Sequence, residues 1–236
     1  MQRAWARTFT LFGCLLAGNT LAETSVAAQR EGLADRNPFN DSSVGPPERI
    51  EGCEAELTRQ GVRFTAAALP VRPGRGNLPT CGAEQAVVYQ GGPERIRYNT
   101  SPLLSCGMAL ALARFERVLS EEAQKHFGQA VVRIEQGGTY SCRKMAQHNL
   151  VSEHSYANAI DIRAVVLKNG KRISVLNHFG STTATQLSRE ARFLRALSHR
   201  SYDEDVFSVV LTPFFDTLHR DHLHLDLARY RVDGTR

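Results

Sequence analysis

The 236-residue sequence predicts an α+β fold, an antiparallel sheet flanked by helices. Three observations carry that reading. Apolar residues recur at helical spacing through Leu104, Met108, Leu112, Phe115 and Leu119. Strand-like runs at 160–167 and 173–176 flank Lys168-Asn169-Gly170-Lys171, and an Asn-Gly pair between such runs marks a hairpin turn. Helical stretches interleave with hairpins, with no internal repeat, which favours an antiparallel sheet over a wound parallel one.

The elements follow in chain order. Arg3 and Arg7 precede an apolar stretch from Phe9 to Leu21, and Thr20-Leu21-Ala22 offers small residues at the spacing a signal peptidase reads. Residues 1–22 are therefore expected to be a secretory signal peptide, which implies a periplasmic location. No apolar run reaches the roughly 18–20 residues of a membrane span, so no integral span is expected. Residues 23–50, with Asn37-Pro38 and Gly45-Pro46-Pro47, read as a flexible linker. Residues 51–100 read as a small N-terminal lobe: a helix over 54–60 stopped by Gly61, strands near 62–64 and 86–89, and a Gly/Pro-rich loop over 70–79. Residues 101–236 form the expected catalytic domain. It holds a helix over 103–127 stopped by Gly128, a strand over 131–134, the Asn-Gly hairpin, a helix over 184–197, and strands over 206–211 and 223–227.

Hydrophobic residues make up 42% and charged residues 22%, ordinary globular usage that excludes a disordered, collagen-like or coiled-coil chain. Lys plus Arg number 29 against 24 acidic residues. The excess is mild and spread without a basic block, so no nucleic-acid partner is expected, and an anionic polymer is equally compatible. Five cysteines occur, and Cys14 falls in the leader. Cys53, Cys81, Cys106 and Cys142 remain, an even set that reads as disulfides in an exported chain. A cysteine zinc site is excluded because no CxxC pair exists. Of the three possible pairings, Cys53–Cys81 with Cys106–Cys142 is preferred, since each closes a local loop.

Two segments carry chemistry. In Ser152-Glu153-His154-Ser155-Tyr156-Ala157-Asn158-Ala159-Ile160-Asp161, strand phase sets Ile160 and Ile162 on one face and Asp161 and Arg163 on the other. A loop returning His154 to Asp161 would bring two metal-ligating groups together. In His219-Arg220-Asp221-His222-Leu223-His224-Leu225-Asp226-Leu227, the residues His222, His224 and Asp226 alternate with leucines. Side chains two apart on a strand stand about 6.5–7 Å from each other, which suits one metal ligand and a second actor beside it. A His154, Asp161, His224 set leaves a fourth zinc position open, the pattern of a catalytic rather than a structural site. A base is then required; His222 shares the metal face and is preferred, with Asp221 second. The isolated His126, His148, His178 and His199 receive no role.

These segments resemble the LAS group of zinc peptidases, named for lysostaphin, D-alanyl-D-alanine metallopeptidases and sonic hedgehog. Its pattern S-x-H-x-x-G-x-A-x-D followed by H-x-H is matched by Ser152, His154, Ala159 and Asp161, then His222 and His224, with Ala157 where the pattern has glycine. The resemblance implies Zn2+ on His154, Asp161 and His224. The longer H-x-x-H-x-H of His219, His222 and His224 resembles the murein endopeptidases of the group, whereas the D-x-x-H of Asp221 and His224 resembles its carboxypeptidase branch. A closer resemblance, from Cys53 onward, is to the bacterial extensin-like C-terminal family. It rests on Cys81-Gly82, Ser105-Cys106-Gly107-Met108-Ala109, Gly138-Thr139-Tyr140-Ser141-Cys142-Arg143 and the two segments above. In related peptidases an arginine before the histidine loop binds substrate, which implies that role for Arg143. The expected function is an exported zinc metallopeptidase acting on peptidoglycan, an endopeptidase in preference to a D,D-carboxypeptidase or a non-catalytic wall-binding module.

Overall fold

A computed structural model describes residues 45–146 and 148–236. The expected signal peptide, and the linker up to residue 44, lie outside the described residues. The chain has mixed α and β structure. A helix α1 (Cys53–Arg59) leads into a long hairpin, β1 (Arg63–Arg72) and β2 (Cys81–Gly91), followed by β3 (Arg97–Tyr98) and β4 (Leu103–Ser105). Helix α2 (Cys106–Phe127), β5 (Val131–Gly138), β6 (Ala159–Leu167), β7 (Arg172–Ser174), α3 (Val175–His178) and α4 (Arg189–Asp203) come next. β8 (Val209–Leu211), β9 (Leu223–Asp226) and β10 (Val232–Gly234) close the chain. A small sheet has the order β1-β2-β4; a large one has the order β10-β8-β9-β6-β5-β3, with β7 also paired to β6.

Local chemistry explains the boundaries. The helix expected from residue 103 begins at Cys106, because β4 pairs with β2 and the Ser105 side chain caps α2 by accepting from the Met108 amide. Gly128, at φ 62°, ends α2 in the left-handed region that glycine enters without a Cβ penalty. The helix expected over 184–197 shifts to α4, since Ser188 caps it by accepting from the Ala191 amide. The strand expected over 173–176 is cut short where Ser174 caps α3. The large sheet is not wholly antiparallel: β3 runs parallel to β5, and β10 runs parallel to β8. Neither β3 nor β10 has the length to show an alternation in sequence.

The core lies between one face of the large sheet and the helices α2 and α4. Ile160, Ile162, Leu223 and Leu225 from the sheet join Leu112, Phe115 and Leu119 of α2 and Phe193 and Leu197 of α4. Leu57, Val87, Tyr89 and Ile96, from the segment read as an N-terminal lobe, belong to that same apolar cluster. The preferred disulfide pairing is overturned: the bridges are Cys53–Cys106 and Cys81–Cys142. Both cross from the first hundred residues to the rest of the chain. Cys53 and Cys106 each open a helix, and the packing of α1 on α2 brings their Cα atoms to 6.2 Å. Preference for short loops fails because tertiary packing decides which thiols meet; the longer loops also restrict the unfolded chain more.

Helix α2 carries two buried carboxylates, Glu116 and Glu122. Glu116 of α2 accepts hydrogen bonds from the hydroxyls of Tyr89 (3.0 Å) and Tyr98 (2.7 Å). Burial pushes its pKa up to about 7, against the opposing effect of those two hydroxyls. The folded state therefore holds a proton that the unfolded chain releases near pH 4.5, and stability falls as pH rises from there through about 7. Chemical denaturation from pH 5 to 8 is expected to show a loss of about 3 kcal/mol that Glu116→Gln removes from the pH slope. An unchanged slope in the variant would place the titration elsewhere.

Candidate metal centre

Cross-strand register builds the site. β6 and β9 are antiparallel neighbours, and Asp161 lies directly opposite His224. The sheet face carrying Ile160, Ile162, Leu223 and Leu225 is covered by the helices, so Asp161 and His224 project from the other face. His154 arrives from a single 3-10 turn, Glu153–Tyr156. Ala157 reverses the chain after it with φ 51° and donates its amide to the carbonyls of Glu153 and His154. This is the position where the LAS pattern has glycine. The alanine takes this left-handed conformation at a cost of roughly 1–2 kcal/mol, and the loop still returns to the strand.

Three atoms converge. Asp161 Oδ1 is 3.0 Å from His224 Nδ1 and 3.3 Å from His154 Nε2, and the two nitrogens are 3.3 Å apart. Tetrahedral zinc with ligand bonds near 2.0–2.1 Å requires ligand atoms about 3.3 Å apart. The donor set and its spacing therefore fit such an ion. The outer ring nitrogens are also committed. His154 Nδ1 is 3.3 Å from the Thr139 carbonyl and His224 Nε2 is 2.9 Å from Asp226 Oδ2. Each outer N–H donates to an oxygen and turns the inner lone pair to the centre.

Without a metal, Asp161 and the histidines satisfy one another. Burial raises the Asp161 pKa, but hydrogen bonds from His154 and His224 outweigh it and hold the carboxylate far below its usual range. Burial disfavours a charged His224, yet its bonds to Asp161 and Asp226 push its pKa up to about 10. Any metal bound here displaces that proton. Glu153 is pushed up to about 8 by burial and by the neighbouring Asp226.

Of the remaining predicted residues, Arg143, His219 and His222 line one cleft of about 420 Å³ with the three convergent groups, and Asp221 stands behind His222. His222 stands at its edge, Nε2 3.6 Å from Asp161 Oδ1, while its Nδ1 is 2.8 Å from Asp221 Oδ1. Asp221 thus holds His222 rather than reaching the centre itself. His219 lines the cleft with its ring 5.3 Å from that of His222. Arg143 lines it too, exposed, with its guanidinium donating to the Lys144 carbonyl at 3.3 Å and with no carboxylate partner among the described residues. Its backbone is fixed by the buried Ser155, whose Oγ accepts from the Arg143 amide at 3.0 Å and lies 2.8 Å from its carbonyl. The Cys81–Cys142 bridge anchors the residue just before it to the β1–β2 hairpin.

Sequence reasoning missed two supporting residues. The alternation puts Asp226 on the same face as His224 but gives it no role; a carboxylate two positions from a candidate ligand histidine is the available signal. Asn158 gave no such signal. It is buried, accepts from Ser105 Oγ at 2.9 Å, and donates to Glu153 Oε2 (2.7 Å) and to the Leu227 carbonyl (3.0 Å). One amide thereby joins the histidine turn, the end of β9 and the cap of α2.

The extensin-like protein C-terminus family matches residues 51–235. The chain belongs to that family. No curated protein and no solved structure matches it. No helix among the described residues is long and apolar enough to cross a membrane.

Asp226→Ala removes the acceptor that orients His224. It is expected to weaken divalent-metal affinity about 10- to 100-fold in calorimetric titration, with the fold retained by circular dichroism. Wild-type affinity in the variant would show that His224 needs no such orientation.

Proposed function

We propose that this family member is an exported zinc-dependent peptidoglycan hydrolase that cleaves an amide bond in the peptide stem or cross-bridge, with a core related to the LAS peptidases. One observation carries the reading: a triangle of His154, Asp161 and His224 donor atoms, 3.0–3.3 Å on each edge, opening into a cleft that also holds a carboxylate-bound histidine and an arginine with no carboxylate partner among the described residues. Three ligands fall one short of a closed structural site. A zinc ion bound there would supply a water of lowered pKa and polarise the scissile carbonyl.

The chain's own residues do the rest. Asp221 accepts from His222 Nδ1–H, leaving His222 Nε2 as the acceptor for a proton from the attacking water. As the carbon–nitrogen bond breaks, the same imidazolium gives that proton to the leaving amine nitrogen. Arg143 offers a planar, double-donor cation to a substrate carboxylate or carbonyl. The two disulfides support export, since such bridges persist in oxidising compartments. The sequence resemblance to murein endopeptidases supports the wall peptide as substrate.

Purified protein incubated with murein sacculi is expected to release soluble peptides, to stop on chelation and to resume on adding zinc. His224→Ala should lose bound zinc by elemental analysis. His222→Ala should keep it and lose turnover by roughly 100-fold or more. Equal metal content in wild type and His224→Ala, or sacculus binding without any released product, would sink the assignment.

A further inference from the structure

The cleft holds a second carboxylate–histidine pair. His219 Nδ1 lies 2.6 Å from Asp216 Oδ1. The same oxygen accepts from the Leu218 amide at 2.8 Å and the His219 amide at 3.1 Å, so Asp216 caps the 3-10 turn Thr217–His219 and grips its last side chain at once. A carboxylate that already takes two N–H donors cannot donate, so the ring must; His219 carries its proton on Nδ1. That leaves Nε2 as a lone-pair acceptor with no protein partner among the described residues, on a side chain that lines the cleft. The ring cannot drift, because Phe215 packs edge-on at 5.9 Å and the rings of His222 and His224 stand at 5.3 and 5.7 Å.

We propose that Asp216 is a positioning residue that fixes His219 as an acceptor for a backbone N–H of the bound peptide. The proposal rests on the hydrolase reading above and refines its substrate. A ring-nitrogen acceptor backed by a carboxylate favours an amide N–H and disfavours a free carboxylate. The position beside it is therefore filled by continuing peptide rather than by a chain terminus, and Arg143 is the group left to meet acidic parts of the substrate.

Two measurements on the full mature chain test this. Nitrogen-15 NMR of the imidazoles in metal-free protein is expected to show His219 as the Nδ1–H tautomer, and Asp216→Gly, which removes the ring's acceptor and is tolerated at a helix N-cap, is expected to populate the Nε2–H form. With zinc bound and a purified cross-linked muropeptide as substrate, Asp216→Gly should raise KM about tenfold, the equivalent of one neutral hydrogen bond, with kcat within about twofold and zinc content unchanged. A wild-type Nε2–H tautomer overturns the proposal, as does a variant with wild-type KM. A drop in kcat at constant KM also overturns it, since that would make His219 an actor in the chemistry. If the wild type cleaves no muropeptide, the hydrolase reading fails on its own, and the tautomer measurement still decides whether Asp216 positions His219.

Discussion

The antiparallel pairing of β6 with β9, in the register that sets Asp161 against His224, is the constraint on which the candidate site depends. A shift by one residue would send either side chain into the core between the sheet and α2, where a carboxylate or an imidazole would be buried without a partner. The leucines between the histidines hold that register from the other side. Leu223 and Leu225 are fully buried and fit under the helices only when the polar residues face away. The same apolar contacts that stabilise the sheet therefore set the geometry of the cluster.

The supporting residues extend this logic outward. Thr139, Asp226, Asp221 and Asp216 each take an outer ring nitrogen of one histidine, so four imidazoles in one cleft have assigned orientations. Asn158 and Ser155 use buried side-chain bonds to tie the histidine turn to β9, α2 and the Arg143 segment. Buried polar groups of this kind carry a large desolvation cost unless every partner is present. The arrangement is therefore strongly specified once the sheet has formed.

Much of this is legible in the sequence, and the reason is periodicity. The alternation of Leu223, Leu225 and Leu227 with His222, His224 and Asp226 is a local pattern of period two that assigns faces without knowledge of the fold. Asn169-Gly170 likewise encodes a turn through its own backbone preference. Asp161 needs one further premise, that its strand pairs with the second, and the register satisfies it. The disulfide partners, the parallel strands β3 and β10, and the roles of Asn158 and Asp216 are not legible, because each depends on which distant segments meet. Cys106 pairs with Cys53 because two helix starts pack together, a fact that no spacing along the chain encodes. The same holds for His219: its place in a known motif is visible, but the carboxylate that orients it is found only through the capped turn.

The bridge from Cys81 to Cys142 joins the hairpin to the residue beside Arg143, whereas the metal-facing groups come from β6, β9 and the turn between β5 and β6 and need no thiol chemistry. Opening that bridge would therefore untie the segment that carries Arg143 from the hairpin while cutting none of the strand pairing that sets Asp161 against His224.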